Sequence, residues 1–324
     1  MKNKTCALIL PYFGKFNSYF SLFLRSFSYN TEFDLLLFTD SDVSYNYPKN
    51  VKVIKSELDS IKKRAEEKFG FDISLNNPYK LCDYKPAYGF LFEEYIQDYK
   101  YWGHCDCDLI FGNLNQMLLP LINQDYDKLF AAGHLTLYKN TTENNRRFMK
   151  EYQGRLLYKE AFTTDDIFIF DEGIKGNSVH HIFLEDGAKV YEGDISVNVT
   201  SHFARFRRSH YNPEKRKFTW DPFKCIRYYW TNGDIIAAEY DSKTKKVEYT
   251  NYIYMHLQLR KMRMKQSVLE KSIIQILPDR FVPAKKIPEN KRDMNILTVG
   301  CPYLYWFDVY IRKFKKKLAA HKNS

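Results

Sequence analysis

The chain has 324 residues, of which 44% are hydrophobic and 17% aromatic, so it can bury a large core as one or two domains. Its net charge of +11 predicts an anionic partner, such as nucleic acid, an acidic membrane surface or a phosphorylated substrate. Six scattered cysteines without paired CxxC motifs argue against a structural zinc site or a disulfide framework. Apolar runs are too short for a signal peptide core or a membrane span, which predicts a cytoplasmic chain.

The first part of the chain alternates apolar runs with stretches of helical spacing. The apolar runs predict buried strands at residues 5–11, 33–42, 50–55 and 99–106. The spacing of apolar residues, a glycine stop and an early proline predict helices at residues 19–27, 56–70 and 85–96. Because the strands are continuously apolar, this pattern predicts an α/β sheet covered on both faces.

The second part is less regular. Residues 129–140 read as one strand turning into another, and residues 142–152 read as a helix capped by Thr141 or Thr142. Strands joined by turns are expected over residues 229–258, with Asn232-Gly233 as a strong hairpin signal. We predict a C-terminal β-hairpin region followed by a basic, aromatic, helical tail.

The stretch KYWGHCDCDLIFGNL carries the clearest chemistry, because Asp106 and Asp108 come at the end of a predicted strand. Alternation along the strand would send both carboxylates to one face and the neighbouring cysteines to the other. Hard oxygen ligands suit Mg²⁺ or Mn²⁺, so a divalent cation site is one interpretation. Two acids in a solvated turn remain the alternative. A zinc site at His104, Cys105 and Cys107 is less favoured, because no second ligand pair supports it.

The order of five stretches adds context to this motif. LILPYF, LLLFTDSD, PYKLCDYKPAYGF, the D-x-D strand and YIYMHLQLRKMRMK follow one another between Cys6 and about Met264. This order resembles the GT-A glycosyltransferases, and within them bacterial capsular-polysaccharide glycosyltransferases. The resemblance implies a GT-A-like, Rossmann-like fold with a mixed, mainly parallel central sheet flanked by helices. It also implies a catalytic domain at residues 1–265 and a basic, aromatic helical extension at residues 266–324.

The resemblance also implies roles for individual residues. Asp106, Asp108 and His256 would hold Mn²⁺ or Mg²⁺ on the diphosphate of a nucleotide-sugar donor, with a UDP-sugar as the first expectation. The implied nucleotide-binding residues are Pro11, Tyr12, Phe13, Asp40, Lys80, Asp83, Lys85, Asp106, Arg260 and Lys261. His134 is a weaker candidate for the acceptor site.

An inverting enzyme needs a carboxylate base to deprotonate the acceptor hydroxyl. Asp171 and Glu172, which follow a predicted apolar strand at FIF, are the candidates for that base. Asp165-Asp166 and Glu185-Asp186 are rivals, and a retaining enzyme would need no such base. The expected reaction moves a hexose to a hydroxyl of a capsule-type or lipopolysaccharide-type surface glycan, either lipid-linked or a free oligosaccharide.

The basic tail suggests a further partner. Its aromatic and basic residues at helical spacing could lie in an anionic membrane interface, or the aromatics could pack on the domain instead. Contact with the inner face of the cytoplasmic membrane is therefore a hypothesis. Two other functions stay open, a metal-dependent phosphohydrolase and a nucleic-acid-binding protein. The latter is not expected, because no known nucleic-acid-binding module appears.

Overall fold

A computed structural model of the chain describes residues 4–174 and 176–296 and, in the tail, residues 307, 309–311 and 314. The strands with bounds in these residues are β1 (Lys4–Pro11), β2 (Phe33–Thr39), β3 (Val51–Lys55), β4 (Tyr99–Cys105), β5 (Leu109–Phe111), β6 (Lys128–Leu129), β7 (Leu135–Lys139), β8 (Val190–Tyr191), β9 (Val197–Val199), β10 (Arg208–Asn212), β11 (Lys217–Trp220), β12 (Ile226–Thr231), β13 (Asp234–Asp241), β14 (Lys246–Tyr252), β15 (Tyr254–His256), β16 (Ile273–Ile276) and β17 (Phe281–Pro283). The helices are α1 (Phe20–Phe27), α2 (Leu58–Phe69), α3 (Leu81–Tyr84), α4 (Tyr88–Leu91), α5 (Glu93–Ile96), α6 (Leu114–Ile122), α7 (Thr142–Arg146), α8 (Leu157–Phe162), α9 (Val179–Glu185) and α10 (Lys291–Ile296).

The first sheet has seven strands in the order β3-β2-β1-β4-β7-β6-β8. Strands β3, β2, β1 and β4 run parallel, and β7 pairs antiparallel with β4. In β1, Ala7 and Ile9 face one apolar core, whereas Cys6 and Leu8 face the other. Both faces are therefore covered, which explains the continuous apolar runs. The predicted mixed α/β architecture is confirmed.

The second sheet has the order β11-β10-β9-β15-β5. Its strands come from distant parts of the chain, since β5 directly follows the Asp106–Asp108 segment and β15 ends at His256. The two strands pair antiparallel, with His256 opposite Leu109. This register brings the late histidine back to the D-x-D stretch.

The third sheet is antiparallel throughout, in the order β14-β13-β12-β16-β17. Asn232 and Gly233 join β12 to β13 with φ values of 47° and 95°, as a two-residue hairpin turn requires. The predicted hairpin region is confirmed. Strands β16 and β17, however, fall in the segment predicted as a helical extension. Residues 273–276 are strand because Ile274 and Ile276 pack into the core beside β12. The division at residue 265 stays a prediction.

The helix predicted over residues 85–96 is broken into a 3₁₀ turn (Lys85–Ala87), α4 and α5. Gly89 packs directly against the indole of Trp102, where an added Cβ would come within 2.2 Å of the ring. The other early helices match better. Helix α2 ends at Gly70 in the left-handed conformation, and Thr141 caps α7 through its side chain.

The predicted tail helix lies almost entirely outside the described residues, so its membrane role stays a hypothesis. Phe307 and Phe314, two of the few described tail residues, are helical with exposed side chains. Among the described helices, none combines the length and apolarity needed to cross a bilayer.

Candidate functional site

Asp106 and Asp108 lie on a tight turn between β4 and β5. Strand β4 ends at Cys105, and the backbone N–H of Asp106 donates to the carbonyl of His134 at 3.0 Å. The prediction that strand alternation aligns the two carboxylates is wrong, because the strand has already ended. The turn brings them together instead.

His256 completes this group, as predicted. Its Nε2 lies 3.2 Å from Asp108 Oδ1 and 3.8 Å from Asp106 Oδ2. One ligand atom from each of the three residues lies within 4.8 Å of the others. We refer to Asp106, Asp108 and His256 as the Asp–Asp–His cluster. No other group of three or more His, Cys, Asp or Glu side chains within the described ranges has metal-ligand spacing.

The opposite ring nitrogen of His256 sets the orientation of the imidazole. Nδ1 lies 3.0 Å from Asn198 Oδ1, which also accepts a hydrogen bond from Gln258 Nε2. Because that oxygen can only accept, Nδ1 carries a proton and Nε2 faces the two aspartates. Burial lowers the pKa of His256, but Asp108 and then Asp106 outweigh it and raise that pKa, so a cation bound at Nε2 would displace a proton. This is the outer hydrogen bond that metal-binding histidines make.

The cluster has the chemistry of a divalent cation site. Oδ1 of Asp108 is buried beside Nε2 of His256 at 3.2 Å and accepts no well-aligned hydrogen bond from a described residue, so a cation would satisfy it better. Burial alone would raise the pKa of Asp106, but Lys85 and then His256 outweigh it and lower that pKa to about 2. Two carboxylates and one imidazole are a donor set that suits Mn²⁺ or Mg²⁺.

The cluster lies in the wall of a cleft of about 550 Å³. Pro11, Tyr12 and Phe13 line the same cleft, because β1 and β4 are neighbouring parallel strands and their carboxyl ends meet at one sheet edge. The remaining lining residues are Leu10, Pro78, Tyr79, Leu81, Cys82, Lys85, Tyr88, Cys105, Cys107, Ile167, Ile169, Asp171, Glu172, Gln258 and Leu259.

Lys85 joins the cluster to the predicted acid pair. Its ammonium lies 2.8 Å from Asp106 Oδ1, 2.9 Å from Asp171 Oδ2 and 2.9 Å from the carbonyl of Gly133. Burial opposes the charge, but Asp106 and Asp171 raise the pKa of Lys85 well above its usual value. These three partners use its three N–H donors. Lys85 therefore borders the cleft, but its donors are directed to protein atoms rather than to a nucleotide.

The acid pair, Asp171 and Glu172, follows an irregular segment instead of the predicted strand. Ile169 has a φ of 63°, an unusual conformation for a β-branched residue. The flanking residues 168 and 170 belong to no strand, so no neighbouring strand accepts hydrogen bonds from their backbone N–H groups. Asp83 takes over that role, since its carboxylate accepts from the backbone N–H groups of Phe168 and Phe170 at 2.9 and 3.0 Å. We refer to residues 165–172 as the acid segment.

Lys80 also helps to hold the acid segment in place. It is 1% exposed, pairs with Asp83 at 2.8 Å and donates to the carbonyl of Asp166. Neither Lys80 nor Asp83 lines the cleft. The prediction that these two residues contact a nucleotide directly is therefore not supported, because both side chains bind each other and the acid segment instead.

The two acids differ in their surroundings. Asp171 is tied to Lys85, whereas Glu172 borders the cleft and makes no ion pair with any described residue. Burial, followed by the Asp171 carboxylate, raises the pKa of Glu172 to about 7. Gly133 makes room for both, since a Cβ there would lie 2.3 Å from Asp171 Oδ2 and 2.5 Å from Glu172 Cγ.

Four other predicted site residues do not line the cleft. Arg260 is 3% exposed and donates to the carbonyls of Thr200 and Phe203, so it holds a loop. The side chains of Lys261 and Asp40 are exposed, and Asp40 accepts from the backbone N–H of Gly14. His134 is buried behind the cluster, with its ring centroid 4.5 Å from that of His256.

Sequence patterns missed Asn198 and Gly133. Asn198 begins an Asn-Val-Thr triplet, a pattern that often occurs by chance and indicates nothing about the cleft, and Gly133 carries no turn signal. Asn198 matters because it accepts a hydrogen bond from His256, and Gly133 matters because it lies directly against Asp171 and Glu172. In both cases the neighbour is distant in the chain.

Comparison with protein families gives a match over most of the chain. A family of unknown function, DUF6625, matches residues 8–285, a range that includes the Asp–Asp–His cluster and the acid segment. No curated protein matches the chain.

Proposed function

The chain belongs to the DUF6625 family, and because that family carries no known activity, we propose a function from the site itself. We propose that the protein is a metal-dependent glycosyltransferase that uses a nucleotide-sugar donor, with a UDP-hexose as the first candidate. The acceptor would be a hydroxyl group of a surface glycan.

One observation carries the proposal. The Asp–Asp–His cluster, the Pro11–Phe13 segment and a carboxylate with a pKa of about 7 border a single cleft of about 550 Å³. A cleft of that size holds a drug-sized ligand, and a nucleotide sugar is comparable in bulk. Cation ligands, an aromatic wall and a base are the groups that a transfer from a sugar diphosphate needs.

The first sheet gives further support. Strands β3, β2, β1 and β4 run parallel in that order, with antiparallel β7 beside β4, and the cluster follows β4 directly. This arrangement is similar to the GT-A-like architecture that the sequence resemblance implies. In such open sheets, ligands bind beyond the carboxyl ends of the strands.

The mechanism assigns a task to each group. Asp106, Asp108 and Nε2 of His256 would hold a divalent cation, which when bound would stabilise the negative charge that develops on the leaving diphosphate. Tyr12 and Phe13 would border the base or ribose. Glu172 would accept the proton of the acceptor hydroxyl, as in an inverting reaction.

Lys85 and Asp171 would act as positioning residues in this mechanism. The ammonium of Lys85 bridges Asp106 and Asp171 and fixes the spacing between cation site and base. Burial raises the pKa of Asp171, but the Lys85 ammonium opposes that rise and favours the carboxylate, which in turn helps to raise the pKa of Glu172. Neither residue has to touch the donor.

A thermal shift assay with nucleotides tests the proposal. UDP together with Mn²⁺ should raise the unfolding temperature more than either alone, and Asp108→Ala should abolish the joint effect. Asp72→Ala, which removes an exposed acid outside the cleft, is the matched control. If no nucleoside diphosphate stabilises the protein with any divalent cation, the proposal is wrong.

A metal-dependent phosphohydrolase would use the same cluster and cleft, with Glu172 activating water instead of a sugar hydroxyl. Product analysis separates the two. A glycosyltransferase should consume a UDP-sugar much faster once a suitable acceptor is added, whereas a hydrolase should release phosphate or sugar at the same rate without one.

A further inference from the structure

A cluster of aromatic rings surrounds Arg207 on the outer edge of the second sheet. The guanidinium carbon of Arg207 lies 5.1 Å from the ring centroid of Phe203, 5.8 Å from that of Trp220 and 4.9 Å from that of Phe223. Trp220 is 53% exposed and Phe223 59%. We refer to Phe203, Arg207, Trp220 and Phe223 as the aromatic patch. None of its residues lines the cleft.

The patch lies in the most basic part of the described chain. Residues 202–227 contain eight Lys or Arg and only two Asp or Glu, a net charge of +6 out of +11 for the whole protein. Arg205 is exposed and makes no ion pair with a described carboxylate, whereas Lys224, exposed beside Phe223, pairs with Glu239 at 2.9 Å. The surface therefore combines exposed apolar rings with concentrated positive charge.

This combination favours an anionic lipid surface over the other anionic partners. Phenylalanine has no polar group, so its exposure in water is costly and is relieved in an acyl-chain boundary, while tryptophan prefers the headgroup level. Surrounding cations are attracted to anionic headgroups. A nucleic acid would need open ring faces on which successive bases stack. Here Phe203 meets Trp220 and Phe223 edge to face, and Arg207 covers one side of each ring.

The patch is connected to the wall of the cleft by side chains. Arg260 donates to the carbonyl of Phe203 at 2.7 Å, and Gln258, which lines the cleft, accepts from the backbone N–H of Ser201 at 3.3 Å. Leu259 stands between them, lines the cleft and is 58% exposed. A surface bound at the patch would thus lie beside the cleft entrance.

We propose that the aromatic patch docks the protein on an anionic membrane surface, with Trp220 and Phe223 inserted among the headgroups and Arg205 against the lipid phosphates. The inference goes beyond the proposed function and does not depend on it. If both hold, the docked orientation presents the cleft to a lipid-linked acceptor.

Vesicle co-sedimentation of the full chain tests the inference. The protein should bind phosphatidylcholine vesicles that contain phosphatidylglycerol, bind pure phosphatidylcholine weakly and dissociate at high salt. Trp220→Ser combined with Phe223→Ser should weaken binding about tenfold, since two inserted rings are lost. Arg205→Gln should weaken it about fivefold, the effect of one cation near an anionic surface.

Two control substitutions lie outside the aromatic patch. Tyr249→Ser removes an equally exposed ring from β14, and Lys243→Gln removes an exposed lysine from the β13–β14 turn. Both should leave vesicle binding nearly unchanged. An unchanged unfolding temperature for the Trp220/Phe223 variant would establish that it is folded. Equal losses in patch and control variants, or a patch variant that loses oligonucleotide binding while keeping vesicle binding, would overturn the inference.

Discussion

The Asp–Asp–His cluster and the acid segment border one cleft but are built in opposite ways. The cluster depends on strand register, because β15 pairs with β5 and places His256 beside Asp108. The acid segment has no regular structure and is held by side chains from far away in sequence, chiefly Asp83 and Lys85. A site can thus combine one half specified by backbone pairing with another half specified by buried polar contacts.

Because of this difference, substitutions in the two halves of the site should have different effects. Removing a ligand from the cluster should remove a function but leave the sheet intact, because the register is fixed by backbone hydrogen bonds. Removing a support of the acid segment should cost stability, because it leaves buried charges or backbone groups without partners. The following predictions test this contrast.

The largest effect is expected at Glu172. Glu172→Gln removes the proposed base at nearly constant shape, so kcat should fall about 10²–10⁴-fold. Binding of UDP with Mn²⁺ should persist, because the cluster is untouched. Glu151→Gln, at an exposed position, is the control. Activity retained within a few-fold in steady-state assays would remove Glu172 from the mechanism.

Asp83 should matter for folding rather than for chemistry. Asp83→Ala leaves Lys80 buried without its counter-ion and two backbone N–H groups without an acceptor. We expect a loss of about 3–5 kcal/mol in the free energy of unfolding, measured by denaturant titration. A loss no larger than that of Asp72→Ala would contradict the assigned role of Asp83.

The raised pKa of Glu172 predicts a pH effect on the metal-free protein. Between pH 4.5 and about 7 the unfolded chain has lost this proton while the folded protein keeps it, so stability should fall as the pH rises. The fall due to this residue is at most about 3 kcal/mol. Glu172→Gln cannot titrate and should show a smaller decline over that window. If the free energy of unfolding changed equally with pH in the two proteins, the raised pKa assigned to Glu172 would be contradicted.

Asn198 should have the smallest effect, on cation affinity. Asn198→Leu removes the acceptor that orients His256, so Mn²⁺ affinity should drop about tenfold. Asn198→Asp keeps an acceptor at the same place and should retain the affinity. Calorimetric titration of both variants with Mn²⁺ compares them directly. The same affinity in Asn198→Leu as in the unmodified protein would mean that the outer hydrogen bond is dispensable.

Sequence patterns captured the half of the site that depends on strands. Continuous apolar runs predicted the central strands, and the D-x-D stretch and His256 were both placed at strand ends. The reason for their proximity was wrong only in detail, since a turn rather than alternation aligns the aspartates. These parts could be predicted because strands appear in the sequence as apolar runs and the motif residues lie at the ends of those runs.

The roles of the cations could not be predicted. Lys80, Lys85 and Arg260 were all expected at the nucleotide, but each donates to protein atoms instead. A lysine beside an acidic motif looks the same in sequence whether it faces a ligand or neutralises a buried carboxylate. The choice is decided by long-range packing, as when Asp83 replaces a missing strand partner for residues 168–170.

We propose that Asp106, Asp108 and His256 together hold one divalent cation in the cleft. Titration of the protein with Mn²⁺ in the presence of UDP, followed by electron paramagnetic resonance of free Mn²⁺, tests it most directly. We expect a single tight site that is lost in Asp108→Ala and greatly weakened in His256→Ala, but unchanged in Asp72→Ala. Tight Mn²⁺ binding that survives both cluster substitutions would contradict it.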